Sequence, residues 1–135
     1  MTLCLDTNVL IDVLRRRHPT KDRYAEWVAS DEPAVISVLT MFELLYGANK
    51  SRRPAWQESA VRFLLRGIGI EPLTEADVAK AAQLQGKLAG KKIGPYDILI
   101  AGQAFNRGWT LVTSNVGEFS RVNGLAVENW SASET

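Results

Sequence analysis

The stretch IGPYDILIAGQA, residues 93–104, decides the fold. Gly94 and Pro95 end one element and open another. Proline is at home in the first helical position, where its missing N–H does no harm. The helix that follows carries Ile98, Leu99, Ile100, Ala101, Ala104 and Phe105, so it is apolar on nearly every side and reads as buried. One carboxylate, Asp97, falls in its first turn. Taken alone, Asp97 reads as a cap, because the macrodipole and the free N–H groups favour an acid there. Whether it is more depends on what other acids share its address.

Working outward, TLVTS (110–114) is β-branched and brief, a strand, and LAVENW (125–130) holds a last edge strand. Upstream lies a long Ala-rich helix over 74–88, with Thr74 and Asp77 as its cap, preceded by a short strand in IGIEPL (68–73). Pro54 starts a helix that runs to residue 65 and ends at Gly67 and Gly69. AVISV (34–38) is a buried strand, after which Thr40 opens a helix stopped by Gly47. A helix over 20–29 turns Tyr24, Trp27 and Val28 inward. Residues 2–5 form an apolar run that ends at Asp6, and a helical pattern follows over 9–14. Strands alternating with helices predict an α/β fold: a central parallel sheet with helices on both faces. In such sheets ligands bind outside the carboxyl ends of the strands.

At 135 residues, 46% hydrophobic and 23% charged, the chain has the size and composition of one ordinary domain. The expected domain covers 1–130, with SASET (131–135) as a tail. A net charge of +1 argues neither for nor against nucleic acid, because an acidic pocket cancels basic lips in the sum. Cys4 is the only cysteine, which excludes an intrachain disulfide and a cysteine metal site and fits a reducing cytoplasm. His18 is the only histidine, and nothing near it supports Ser-His-Asp or Cys-His catalysis. The first residues do not read as a signal peptide, so none is expected, and no apolar run approaches the length of a membrane span.

The acids recur at one topological place. Asp6 ends the first strand, Glu43 lies in the first turn of the helix after the second, Asp97 opens the buried helix, and Asn115 and Glu118 follow TLVTS. Each has a plain structural use. Asp6 caps a helix, Thr40-Met41-Phe42-Glu43 is a capping box in which Glu43 reaches back to the Thr40 N–H, and Glu118 is a solvated loop acid. The conjunction is harder to dismiss. Converging carboxylates repel and raise one another's pKa, and a fold gains little by gathering them unless a divalent cation neutralises the cluster. Hard cations such as Mg²⁺ or Mn²⁺ take oxygen ligands, activate water and stabilise phosphoryl transition states.

At these residues the sequence resembles a known family. LDTNVLID from Leu5, ISVLTMFELLYGA from Ile36, IGPYDILIAGQA from Ile93 and LVTSNVGEFSRVNGLAVENW from Leu111 are similar, in this order, to the PIN-domain ribonucleases, and more narrowly to the VapC toxins of type II toxin–antitoxin pairs. The resemblance implies a small α/β domain and a Mg²⁺- or Mn²⁺-dependent endoribonuclease. By position, Asp6, Glu43 and Asp97 match the acids of the family's metal site. Many PIN domains carry Asp where this chain has Asn115, so the fourth acid is expected at Glu118, with Asn115 as its hydrogen-bonding or water-holding neighbour. Thr7, Asn8 and Thr113 are expected to orient the carboxylates or a water. Lys91 and Lys92 stand where related sequences often read Thr-Pro. The resemblance further implies a VapB-like antitoxin whose C-terminal segment lies along the toxin and pushes a basic side chain into the acidic pocket. It also implies a homodimer and structured RNA targets, often tRNA, with initiator tRNA the narrowest candidate.

Phosphate-bearing partners need Lys and Arg near the pocket. Lys91 and Lys92, which lead into IGPYD, and Arg15 are the expected RNA contacts, while the group Lys50, Arg52 and Arg53 lies farther from Glu43 along the helix. Trp27, Trp56, Trp109 and Trp130 are scattered and read as core or interface rather than as base-stacking platforms. Tyr46 sits three residues after Glu43 and flanks the site or packs. Two other readings remain open from the sequence. One is a nuclease acting on single-stranded or flap DNA, since the same acids suit any phosphodiester. The other is a non-catalytic module that binds RNA or protein, against which the intact acid set argues.

Overall fold

The structure, a computed structural model, describes residues 1–132. Five strands, β1 (Leu3–Leu5), β2 (Ala34–Ser37), β3 (Gly69–Glu71), β4 (Thr110–Val112) and β5 (Val127–Glu128), form one sheet in the order β3-β2-β1-β4-β5. Every pairing is parallel, with Leu3 opposite both Ala34 and Thr110. The sheet is the parallel α/β arrangement read from the sequence, and β5 is an edge strand as expected. Among the described residues no helix is long and apolar enough to cross a membrane.

β1 is buried along its whole length, and its pleat sends alternate residues to opposite faces. Leu3 and Leu5 join Leu10, Ile36, Leu44 and Val61 in one core, on the side of α1 (Thr7–Leu14), α3 (Val38–Asn49) and α4 (Pro54–Leu64). Cys4 points the other way and joins Ile100, Ala101, Ala104, Leu111 and Phe119, on the side of α6 (Pro95–Arg107) and the short α7 (Val116–Phe119). Burial of each large aliphatic chain stabilises the fold by roughly 1.5–3 kcal/mol before entropy is counted.

α6 is the buried helix expected from IGPYDILIAGQA. Pro95 occupies its first turn, and Gly108, at φ 69°, closes it in the left-handed region that glycine enters without strain. Its middle lies against α5 (Glu75–Lys87) with almost no space between backbones. A Cβ at Gly102 would stand 2.5 Å from the Ala81 Cβ and 2.7 Å from the Ala81 nitrogen. At its C-terminal end Arg107 binds Asp77 through Nε (3.0 Å) and Nη2 (2.9 Å), and the Asn106 amide donates to Asp77 at 2.8 Å.

Three local expectations change. α3 begins at Val38, capped by the Ser37 hydroxyl rather than by Thr40, because β2 runs directly into the helix with no loop between them. Glu43 therefore lies beyond the first turn, and the Thr40–Glu43 capping box does not form. Val28, expected inward on α2 (Thr20–Val28), is 60% exposed, because α2 covers the core only with its Tyr24 and Trp27 side. The tail expected over 131–135 lies, from residue 133 onward, outside the described residues.

Candidate active site

The carboxyl ends of β1, β2 and β4 lie side by side at the centre of the sheet, and the chain turns from each into a helix there. Asp6 follows β1 directly and caps α1, accepting the Thr7 N–H at 2.8 Å. Its other oxygen accepts the Thr113 hydroxyl, also at 2.8 Å, from the residue just after β4. Both oxygens are held, and the side chain is almost fully buried.

From Asp6 the hydrogen bonds run two ways. Toward α3, the Thr7 hydroxyl donates to Glu43 Oε1 at 2.7 Å and lies 3.2 Å from the Thr40 hydroxyl. Toward α7, Thr113 Oγ1 accepts the Asn115 N–H at 3.0 Å, and the Asn115 amide donates to Glu118 Oε2 at 2.5 Å. A longer contact, 3.4 Å, links Glu118 Oε1 to the Gly94 N–H at the head of α6. One belt of bonds thus joins Glu43, Asp6 and Glu118, three acids drawn from separate elements.

Asp97 faces this belt without joining it. Among the described residues its carboxylate has no hydrogen-bond partner. Partial burial, then the negative charges of Asp6, Glu118 and Glu43, push its pKa up to about 6. Asp6 is also raised, by burial first and by Glu43 and Glu118. The bonds from Thr113 and Thr7 offset only part of that rise. The four carboxylates are therefore near enough to feel one another. Among the described residues no three acid, histidine or cysteine side chains meet closely enough to grip an ion together.

Of the expected supporting residues, Thr7, Thr113 and Asn115 are in the belt. Asn115 spends its amide on Glu118, which leaves Glu118 as the anionic member of that pair. Asn8 is exposed and bonded to none of the acids. Thr40 is a member that sequence reading took only as a cap, although its place three residues before Glu43 on a helix put it on the same side. The basic residues divide. Arg15 lines a cavity of about 420 Å³ between α1, α3 and α4, whose wall includes Glu43, Leu44, Ile11 and Val61. Lys92 turns away to cap α5, donating to the Gln85 and Leu88 carbonyls at 3.0 Å each. The Lys91 carbonyl accepts from Arg121. Tyr46 stacks on Phe42, and Phe42 meets the edge of Tyr96, beside Asp97.

Comparison with known proteins identifies the fold and its family. The PIN-domain family pattern matches residues 3–125. The chain is 34% identical over 130 residues to the tRNA(fMet)-specific endonuclease VapC of Shigella flexneri, covering 94% of this chain and 96% of the relative. It is 30% identical over 132 residues to Ribonuclease VapC2 of Rickettsia felis, covering 96% and 98%. Among solved structures, VapBC2 from Rickettsia felis bound to a DNA fragment from its promoter superposes with a TM-score of 0.88 at 30% identity, covering 96% of this chain and 99% of that one. DNA-bound VapBC from Salmonella typhimurium gives 0.85 at 31% identity, covering 96% and 98%. Sequence and structure thus place the chain together: it belongs to the PIN-domain family and, within it, to the VapC ribonucleases.

Proposed function

We propose that the chain is the toxin of a type II toxin–antitoxin pair, an endoribonuclease that cuts structured RNA in the cytoplasm with the help of Mg²⁺ or Mn²⁺. The observation that carries this reading is the convergence of Asp6, Glu43, Asp97 and Glu118, with Asp97 raised to about 6 by burial and by the other three. The name borne by the Shigella relative supports tRNA, and initiator tRNA in particular, as the substrate.

The donor set suits a hard divalent cation. Every candidate ligand is an oxygen, and the cluster carries negative charge that a cation would relieve. Mg²⁺ characteristically binds through one or two carboxylates and keeps several waters, so it needs no three-acid grip. Asp6, Asp97, Glu43 and Glu118 are the residues that would hold it. Bound there, it would supply charge neutralisation at the phosphodiester and activation of water. The chain's own groups do the positioning. Thr7 and Thr113 fix both oxygens of Asp6, Thr7 also aims Glu43, and Asn115 orients Glu118. Asp97, unbonded and raised, is the acid whose burdened charge a bound cation would relieve most.

The antitoxin partner fits the cavity between α1, α3 and α4. Its walls are apolar at Ile11, Leu14, Leu44 and Val61, as an amphipathic segment requires, and Glu43 at its side would receive a basic side chain. A homodimer fits the exposed stripe Val38, Phe42 and Tyr46, spaced four residues apart on α3 and continued by Tyr96.

The test is cleavage of bulk tRNA by the purified chain, with Mg²⁺, with EDTA, and with Asp97→Asn. Discrete fragments should form only with the metal, and the variant should fall by at least about 10³-fold, the loss expected when several kcal/mol of transition-state stabilisation go. Equal cleavage by Asp97→Asn would remove the assignment. Cleavage of matched DNA oligonucleotides but not RNA would favour the flap or single-strand DNA reading.

A further inference from the structure

We infer that the outer face of α4 is a stacking rail for unpaired nucleotides of the RNA substrate, separate from the acids that cut it. This rests on the ribonuclease reading above. Trp56 and Phe63 are among the most exposed large apolar side chains of the described residues, at 61% and 66%. They stand seven residues apart on one helix, hence on one face and about 10 Å apart along the axis. Each ring carries a guanidinium. The Arg53 Cζ lies 5.6 Å from the Trp56 centroid, and the Arg66 Cζ lies 4.0 Å from that of Phe63. Among the described residues neither arginine pairs with an acid, whereas Arg62, between them, is held by Glu58 at 3.5 Å. The positive charge on this face is therefore available.

Two exposed rings, each flanked by a free guanidinium at regular spacing, are the elements of a single-strand binding track. Bases stack on the rings or guanidinium planes, and phosphates meet the charges. Electrostatics supplies the reason for a rail here. The acids that converge at the strand ends repel a polyanion, so RNA must be gripped by cations set back from them. Gln57 and Val61, about 100–160° round the same helix from the two rings, line the cavity whose wall includes Glu43. The rail is thus about one helix diameter, roughly 10 Å, from the cavity. Nucleotides held there lie outside the scissile position. The rail raises affinity and sets which unpaired segment is presented, without touching the reacting atoms.

The experiment uses the full chain with Asp97→Asn, so that RNA survives, and a short fluorescent single-stranded RNA as the probe. Trp56→Ala with Phe63→Ala should weaken binding by about tenfold or more per ring. An abasic strand of equal length and charge should bind both proteins alike. Arg53→Gln with Arg66→Gln should lower the slope of log affinity against log salt by about 1.4, the single-strand value for two contacts. In the chain with Asp97 intact, the ring variant should raise KM for tRNA cleavage and leave kcat unchanged. Unchanged RNA affinity and KM in both variants, with wild-type cleavage intact, overturn the rail and leave the ribonuclease reading standing. The same result accompanied by lost affinity for a protein partner assigns the face to that partner instead. A wild-type chain that neither binds nor cuts RNA overturns both.

Discussion

Asp77 and Asp97 lie at opposite ends of α6 and are treated in opposite ways. Asp77, on α5, is fully buried, yet its pKa falls to about 2. Burial alone would raise it, but Arg107, Asn106 and the Thr74 cap supply hydrogen bonds that more than offset the cost. Asp97, at the other end, is less buried and unbonded, and three like charges face it. The first carboxylate secures the helix pair, and the second is left at a disadvantage that only an incoming positive charge removes. A local excess of like charge that structure alone would not retain is a mark of a functional site.

The comparison can be broken most severely at Asp77. Asp77→Ala should destabilise the chain by about 4 kcal/mol in urea or thermal unfolding, since it strands a partly buried guanidinium and removes a capping box. At Gly102, which lets α5 and α6 touch, alanine must push the helices apart. Gly102→Ala should cost about 2 kcal/mol by the same assays and lower tRNA cleavage by shifting the head of α6. Asp97→Asn should do the reverse and stabilise the metal-free chain in EDTA by about 1 kcal/mol at neutral pH, after allowance for solvent screening. The pH course follows from the sign of the shift. An acid whose folded pKa exceeds its unfolded one costs nothing below the unfolded pKa and its full penalty above the folded one. The melting difference between Asp97→Asn and the wild type should therefore be near zero below about pH 4, grow up to about pH 6, and then level off. A difference of opposite sign would show that Asp97 is a helix cap after all.

The sequence offers helix caps at Thr40–Glu43 and at Thr74 with Asp77, and their fates show what could be read from it. Thr74 and Asp77, read only as a helix cap, form a complete capping box at the head of α5. Thr40-Met41-Phe42-Glu43 does not, because Glu43 is claimed by Thr7, 36 residues away, and Ser37 takes the cap. Local patterns name what a residue can do, but a long-range partner decides what it does. Elements punctuated by Pro and Gly, such as α4 and α6, were legible for the same reason, since their boundaries are local chemistry. The four acids were legible because each ends a strand or lies near the start of a helix. The Arg107–Asp77 contact and the Phe42–Tyr96 edge contact carry no local signature. They exist because α5, α6 and α3 are brought together by the sheet.

The pairing of β1 with β4 joins residues more than a hundred positions apart, Leu3 with Thr110. The hydroxyl that holds the second oxygen of Asp6 comes from Thr113, later still, and Glu118 follows it. A ribosome making this chain therefore releases nearly all of it before the acid cluster can assemble. Peptides that end before Thr113 hold Asp6, Glu43 and Asp97 without the hydroxyl and the fourth carboxylate that complete the cluster.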